Sequence, residues 1–223
     1  MNGQLRVGLM LGMLSSGSPQ IFGQRPAASD SQPSLTIRLY NLAHVPGRTL
    51  DRASEVAGQI LAEAGLTITW NSGESDCAEA HMSDMSVATA GSRPVPDSRG
   101  YVVVRLVRGG VPAGLGRGAT GYALPFARQG THVTVFYDRI EQLSVSSASM
   151  PTAGTILGAA MAHEIGHVLL GSNEHSRTGI MKACWGQLEF RCLATKGLHF
   201  TADNREVIRS CALNRMHLAQ RMP

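Results

Sequence analysis

Two histidines four positions apart, His163 and His167, enclose a glutamate in the run Ala162-His163-Glu164-Ile165-Gly166-His167-Val168. If that run is helical, the two imidazoles stand one turn apart on the same face. At that spacing both donate to a single Zn2+ without distorting the backbone. Glu164 is next to the first of them, within reach of a water on the metal. Zinc lowers that water's pKa toward neutrality and polarises a carbonyl, and a nearby carboxylate takes the released proton. Together these residue types support hydrolysis of an amide.

The helix is expected over Ala153 to Leu170, and its stretch Ile156-Leu157-Gly158-Ala159-Ala160-Met161-Ala162 is apolar enough to require burial against a sheet. Two histidines and a glutamate on such a helix are costly to bury unless a metal or polar partners satisfy them. The bland alternative, a surface helix with solvated His and Glu, fits that apolar stretch poorly. A catalytic zinc usually has three protein ligands and one open position. After Leu170 comes Gly171, whose missing Cβ suits the left-handed turn at a helix end. The chain then reverses through Ser172-Asn173-Glu174 to His175. His175 is the first candidate for third ligand and Glu174 the second; Asn173 is a poor zinc donor beside either.

The run His163-Glu164-Ile165-Gly166-His167-Val168-Leu169-Leu170-Gly171-Ser172-Asn173-Glu174-His175-Ser176 resembles the metzincin metalloproteases, the matrixins in particular. Their pattern is His-Glu-x-x-His-x-x-Gly-x-x-His, followed by a turn containing methionine. Thr178-Gly179-Ile180-Met181 supplies a candidate for that turn, which the resemblance makes an apolar floor beneath the metal, with Met181 as its methionine. Gly166 matches a small residue common in the family; inside a helix it costs about 1 kcal/mol relative to Ala, so a close contact there is expected. This chain departs from the pattern in spacing: Gly171 comes one residue late, His175 two residues late, and Asn173 stands where the family has its third ligand. The resemblance implies a Zn2+ cofactor, a protein or peptide substrate, and an edge strand at Gly121, Tyr122, Ala123 and Leu124 that pairs with extended substrate.

The elements that must position these residues are read from periodicity. Leu35 to Leu42 alternates as a strand, Asp51 to Ala64 carries Ala53, Val56, Ile60 and Leu61 on one helical face, and Leu66 to Trp70 is a second strand. This β-α-β opening favours a right-handed crossover. Asn71 to Gly100 reads as loop, Tyr101 to Val107 as a central β-branched strand, and Gly109 to Gly118 as a glycine-rich turn lacking a phosphate-binding signature. Gly121 to Phe126 contains Pro125, which cannot donate to a ladder and so belongs at a sheet edge. His132 to Tyr137 is a further strand, and Ala202 to Ala219 a closing helix capped by Thr201. His44, His81, His132, His199 and His217 have no metal-ligand spacing.

Composition bounds the rest. The 223 residues are 43% hydrophobic and 16% charged, enough to build a substantial core. The net charge of +4 is spread along the chain without basic runs, so nucleic acid is not an expected partner. Arg6 followed by the apolar Val7 to Leu14 has the layout of a signal peptide, expected over residues 1–23, with a flexible linker over 24–34. The expected location is therefore secreted or periplasmic, without stable membrane insertion, since no other segment reads as a span. Cys77, Cys184, Cys192 and Cys211 permit two disulfides in an exported chain, with buried free thiols as the alternative.

The resulting expectation is an α/β (α+β) metzincin-like domain over 35–223. It has a twisted mixed sheet, a backing helix, an active-site helix and a small C-terminal helical part. The expected activity is zinc-dependent endopeptidase, with Glu164 as general base and His163, His167 and His175 as ligands. Two alternatives stay open: an exported zinc-binding protein without turnover, and a zinc hydrolase of non-protein amides. The sequence assigns no oligomeric state.

Overall fold

Alternating residues of the first strand, Leu35, Ile37 and Leu39, are all buried, as a strand with one face on a core requires. That strand, β1 (Ser34–Asn41), opens the architecture in a computed structural model that describes residues 32–72, 101–116, 118–125, 131–145 and 150–220. The expected leader, most of the linker, Cys77 and nearly all of the expected loop at 71–100 lie outside those residues. The described ones belong to the unit Gln32–Pro223.

Helix α1 (Gly47–Glu63) follows, burying Ala53, Val56, Ala57, Ile60 and Leu61 at helical spacing. It starts a turn before its apolar stripe because the Pro46 carbonyl accepts the first helical N–H bonds, from Thr49 and Leu50. Strand β2 (Thr67–Ser72) comes next, then β3 (Tyr101–Val107), β4 (Gly121–Leu124) and β5 (Thr131–Phe136). The sheet order is β2-β1-β3-β5-β4. The β1–β2, β1–β3 and β3–β5 pairings are parallel and β4–β5 is antiparallel. The mixed sheet therefore ends in β4, with Pro125 just beyond it, as the missing proline donor demands.

Helix α2 (Tyr137–Ser144) leaves β5 without a break. It falls where no helix is expected from sequence, because only Tyr137 and Ile140 of its face are buried and two residues make no readable period. Helix α3 (Ala153–Leu170) has the expected bounds. The Thr152 hydroxyl accepts the Thr155 N–H, and Gly171 ends the helix at φ 60°, ψ 33°. Its mean hydropathy of 1.2 over 18 residues gives it the length and apolarity of a membrane span, contrary to the expectation that no such segment follows the leader. Burial of 83% of that window identifies a core helix, apolar all round because it is covered all round.

Helices α1 and α3 pack against each other, and α3 lies against β3, β4 and β5. The helix pair is close because α3 has no Cβ at the crossing. A Cβ on Gly158 would stand 2.5 Å from the Ala53 carbonyl oxygen, and one on Gly154 would stand 2.9 Å from that of Thr49. Helices α4 (Gln187–Thr195) and α5 (Ala202–Gln220) complete the chain against α3. The first of them escapes sequence reading for the same reason as α2: its apolar anchors are only Phe190 and Leu193. Thr201 caps α5, its Oγ1 accepting the Asn204 N–H at 3.2 Å.

Bridges among the described cysteines are absent. Cys184, Cys192 and Cys211 are free thiols. They occupy three separate elements, the loop before α4, α4 itself and α5, and Cys192 packs against the apolar core. The C-terminal part is thus held by packing and polar contacts.

Candidate metal centre

Helix α3 carries His163 and His167 on one face, and the chain reversal at Gly171 brings His175 to them. One ligand atom from each of the three histidines lies within 4.8 Å of the others. The His163 and His167 rings meet edge to face at 4.8 Å, and His175 stacks on His163 with centroids 5.4 Å apart. His163 and His167 are buried, whereas His175 is exposed. Glu174 and Asn173 are exposed, and Glu174 lies outside the cluster.

The proton positions follow from the partners. Nδ1 of His163 is 2.7 Å from the Ile180 carbonyl oxygen, and Nδ1 of His167 is 2.9 Å from that of Ser172. A carbonyl only accepts, so both Nδ1 atoms carry hydrogen and donate. Each neutral ring is then left with a bare lone pair on Nε2, and the two Nε2 atoms face each other 3.1 Å apart. Two lone pairs at that distance repel unless a cation lies between them. Two neutral imidazoles with backbone carbonyls behind them, and the His175 imidazole beside them, make a donor set suited to zinc and neighbouring transition metals. The residues present fit a metal ion.

Glu164, next to His163 on α3, lies against strand β4. It is 5% exposed, and a Cβ added to Gly121 of β4 would stand 3.1 Å from its Oε1 and 2.6 Å from the Thr134 carbonyl oxygen. Only glycine lets the edge strand run this close to the carboxyl. Among the described residues Glu164 has no hydrogen-bond partner, yet no fully buried side-chain polar atom is left unpaired. Its oxygens therefore keep some contact with solvent.

Beneath the cluster, a Cβ on Gly166 would stand 2.6 Å from Met181 Sδ and 2.8 Å from Phe200. That contact is the one the in-helix glycine suggests from sequence. Met181 itself is 1% exposed, on the loop that carries Ile180. The indole of Trp185 packs edge-on against His163 at 5.8 Å, and its Nε1–H donates to the same Ile180 carbonyl at 3.3 Å. Trp185 and the carbonyls of Ile180 and Ser172 go unidentified in sequence reading. A backbone acceptor has no residue signature, and a tryptophan in a short polar loop reads equally as packing.

Burial moves the titrations. Desolvation, opposed by the Ile180 bond, lowers His163 to about 4, and desolvation lowers His167 as well. Desolvation raises Glu164 to about 8. In the metal-free chain the two histidines bind fewer protons folded than unfolded, so they add stability as pH rises toward 6.5. Glu164 does the reverse, binding its proton in the folded state from about 4.5 up to about 8. Above 6.5 it acts without that opposition. Stability of the chelated protein is therefore expected to fall between pH 6.5 and pH 8 by up to about 1.4 kcal/mol per pH unit. Thermal melts in chelator across that range check this; a flat or rising Tm would mean that Glu164 is ionised in the folded chain.

No protein-family model matches the chain, and no curated protein matches it. Among solved structures it is similar to archaemetzincin from Methanopyrus kandleri, with 16% identity, a TM-score of 0.48, and coverage of 83% of this chain and 98% of that one. It is also similar to metalloproteinase-II from Bacteroides fragilis, with 16% identity, a TM-score of 0.44, and coverage of 81% of this chain and 53% of that one.

Proposed function

We propose that this chain is a zinc-dependent endopeptidase, exported from the cell, that hydrolyses internal bonds of extended polypeptides. The observation that carries the reading is the pair of bare Nε2 atoms 3.1 Å apart, with His175 beside them and a buried carboxyl adjoining. His163, His167 and His175 would hold the ion. When bound, zinc supplies a positive charge that draws the Glu164 carboxyl back to its ionised form, acidifies a water and polarises the scissile carbonyl. Glu164 accepts the water's proton as the oxygen bonds to the carbonyl carbon. It then passes a proton to the amine nitrogen as the C–N bond breaks.

Strand β4 supports a peptide over a small amide as substrate. Among the described residues it is the last strand of the sheet and pairs with β5 alone, while lying against α3 near Glu164. An extended chain laid along Gly121–Leu124 completes the open ladder, and backbone pairing of that kind accepts many side chains. Met181 would serve as the apolar support under the ligands. Export rests on Arg6 and the apolar Val7 to Leu14.

Metal analysis of the purified protein with an assay on unfolded casein tests the reading. About one zinc per chain is expected, lost with a strong chelator together with hydrolysis and restored with added zinc. Equal zinc content in wild type and a His163→Ala, His167→Ala double variant would sink it.

A further inference from the structure

The three histidines are not held alike. His163 and His167 sit buried on α3, each fixed by an Nδ1–H bond to a carbonyl. His175 is exposed, its side chain makes no hydrogen bond to the described residues, and its ring contacts are the two neighbouring imidazoles. Its place must therefore come from the chain on which it rides.

That chain is pinned at the next residue. The Ser176 N–H donates to the Met181 carbonyl at 2.8 Å, and Ser176 forms an isolated parallel bridge with Lys182. Its hydroxyl donates to Oδ1 of Asn204 at 3.0 Å. Asn204 is the third residue of α5, with its own N–H capped by Thr201. Helix α5 in turn is anchored against α3, with Ile208 and Ala212 buried in the core. The structure thus closes a ring: α3 holds two histidines, α5 packs on α3, and one side-chain bond from α5 reaches the residue beside the third.

We infer that Asn204 is a positioning residue that sets metal affinity by fixing His175 through Ser176; this rests on the reading of the histidine cluster as a zinc site. The two backbone contacts of Ser176 survive substitution of either side chain, so the loop stays folded without the bond. The tether of Ser176 to α5 is what disappears, and with it the register of His175. A lone pair is directional, so a small displacement that folding tolerates weakens a ligand. Groups that orient ligands typically affect metal affinity about 10- to 100-fold.

The test is zinc titration of the full chain, stripped of metal, against a competing chromophoric chelator. Wild type, Ser176→Ala, Asn204→Ala, the double variant, Asn204→Asp and His175→Ala are compared, with metal-free Tm measured for each. Ser176→Ala and Asn204→Ala are each expected to weaken zinc about tenfold with little change in metal-free Tm. The double variant should be no worse than either single, since both remove one bond. Asn204→Asp keeps the acceptor and should bind like wild type. Wild-type affinity in both alanine variants, an additive double variant, or an Asp variant as weak as the alanine would each overturn the inference. Wild type that takes no zinc, or a His175→Ala variant that binds as tightly, would instead bring down the zinc reading itself.

Discussion

Glu164→Gln is expected to lower hydrolysis of unfolded casein by about 100- to 10,000-fold while leaving zinc content unchanged. Gln has the volume of Glu, so it fits the slot beside Gly121, where added atoms would collide with the strand. It cannot accept a proton at neutral pH, so the step from water to amine nitrogen loses its carrier. Folding should not suffer. The Glu164 carboxyl makes no hydrogen bond to the described residues, and its burial without a partner already raises it to about 8. Removing an ionisable group from that position relieves a cost of desolvation in the metal-free chain. The variant should therefore melt at or above the wild-type temperature in chelator near pH 8. Loss of activity with retained zinc and retained fold is a combination that a purely structural glutamate would not give. Activity within a few-fold of wild type would remove Glu164 from the general-base role.

Some of this molecule is legible in the sequence because its signals are local. The bounds of α3 are fixed by Thr152, an apolar run and Gly171, all within 20 residues of chain. Pro125 places the neighbouring strand at an edge, and β4 is the edge strand. The return of His175 to the helix follows from Gly171, whose left-handed backbone needs no partner elsewhere. Other features depend on contacts that no local pattern records. Helices α2 and α4 have two apolar anchors apiece, too few for a period. The contact between Gly121 and Glu164 joins residues far apart in the chain, and the glycine reads there as ordinary strand. Ser176 and Asn204 meet across 28 positions, and only the docking of α5 on α3 brings them together. The cysteine count suggests bridges, but the elements carrying Cys184, Cys192 and Cys211 leave them as thiols.

His175→Ala is expected to weaken zinc binding by roughly 100-fold or more, whereas Asn173→Ala and Glu174→Ala should stay within a few-fold of wild type. The contrast turns on ligand chemistry and placement together. Neutral imidazole is a strong zinc donor, carboxylate a good one and carboxamide a weak one, so chemistry alone excludes Asn173 but leaves Glu174 open. Placement decides between the remaining two. His175 stands within the group of donor atoms that includes His163 and His167, and Glu174 does not. Glu174 is exposed, its backbone N–H bound to the Ser172 hydroxyl at 3.0 Å. Three residues, Ser172, Asn173 and Glu174, separate Gly171 from His175, one more than the Gly-x-x-His spacing, and the turn absorbs it. One of them, Ser172, accepts the His167 Nδ1–H through its carbonyl, which keeps the turn close to the helix. Without His175 the ion would keep two imidazoles and solvent, a set too small to hold it against a chelator of moderate strength. Zinc titration of the three variants measures this directly. If Glu174→Ala is the variant that releases metal, the third ligand is a carboxylate, and the likeness of this centre to the three-histidine pattern ends at His167.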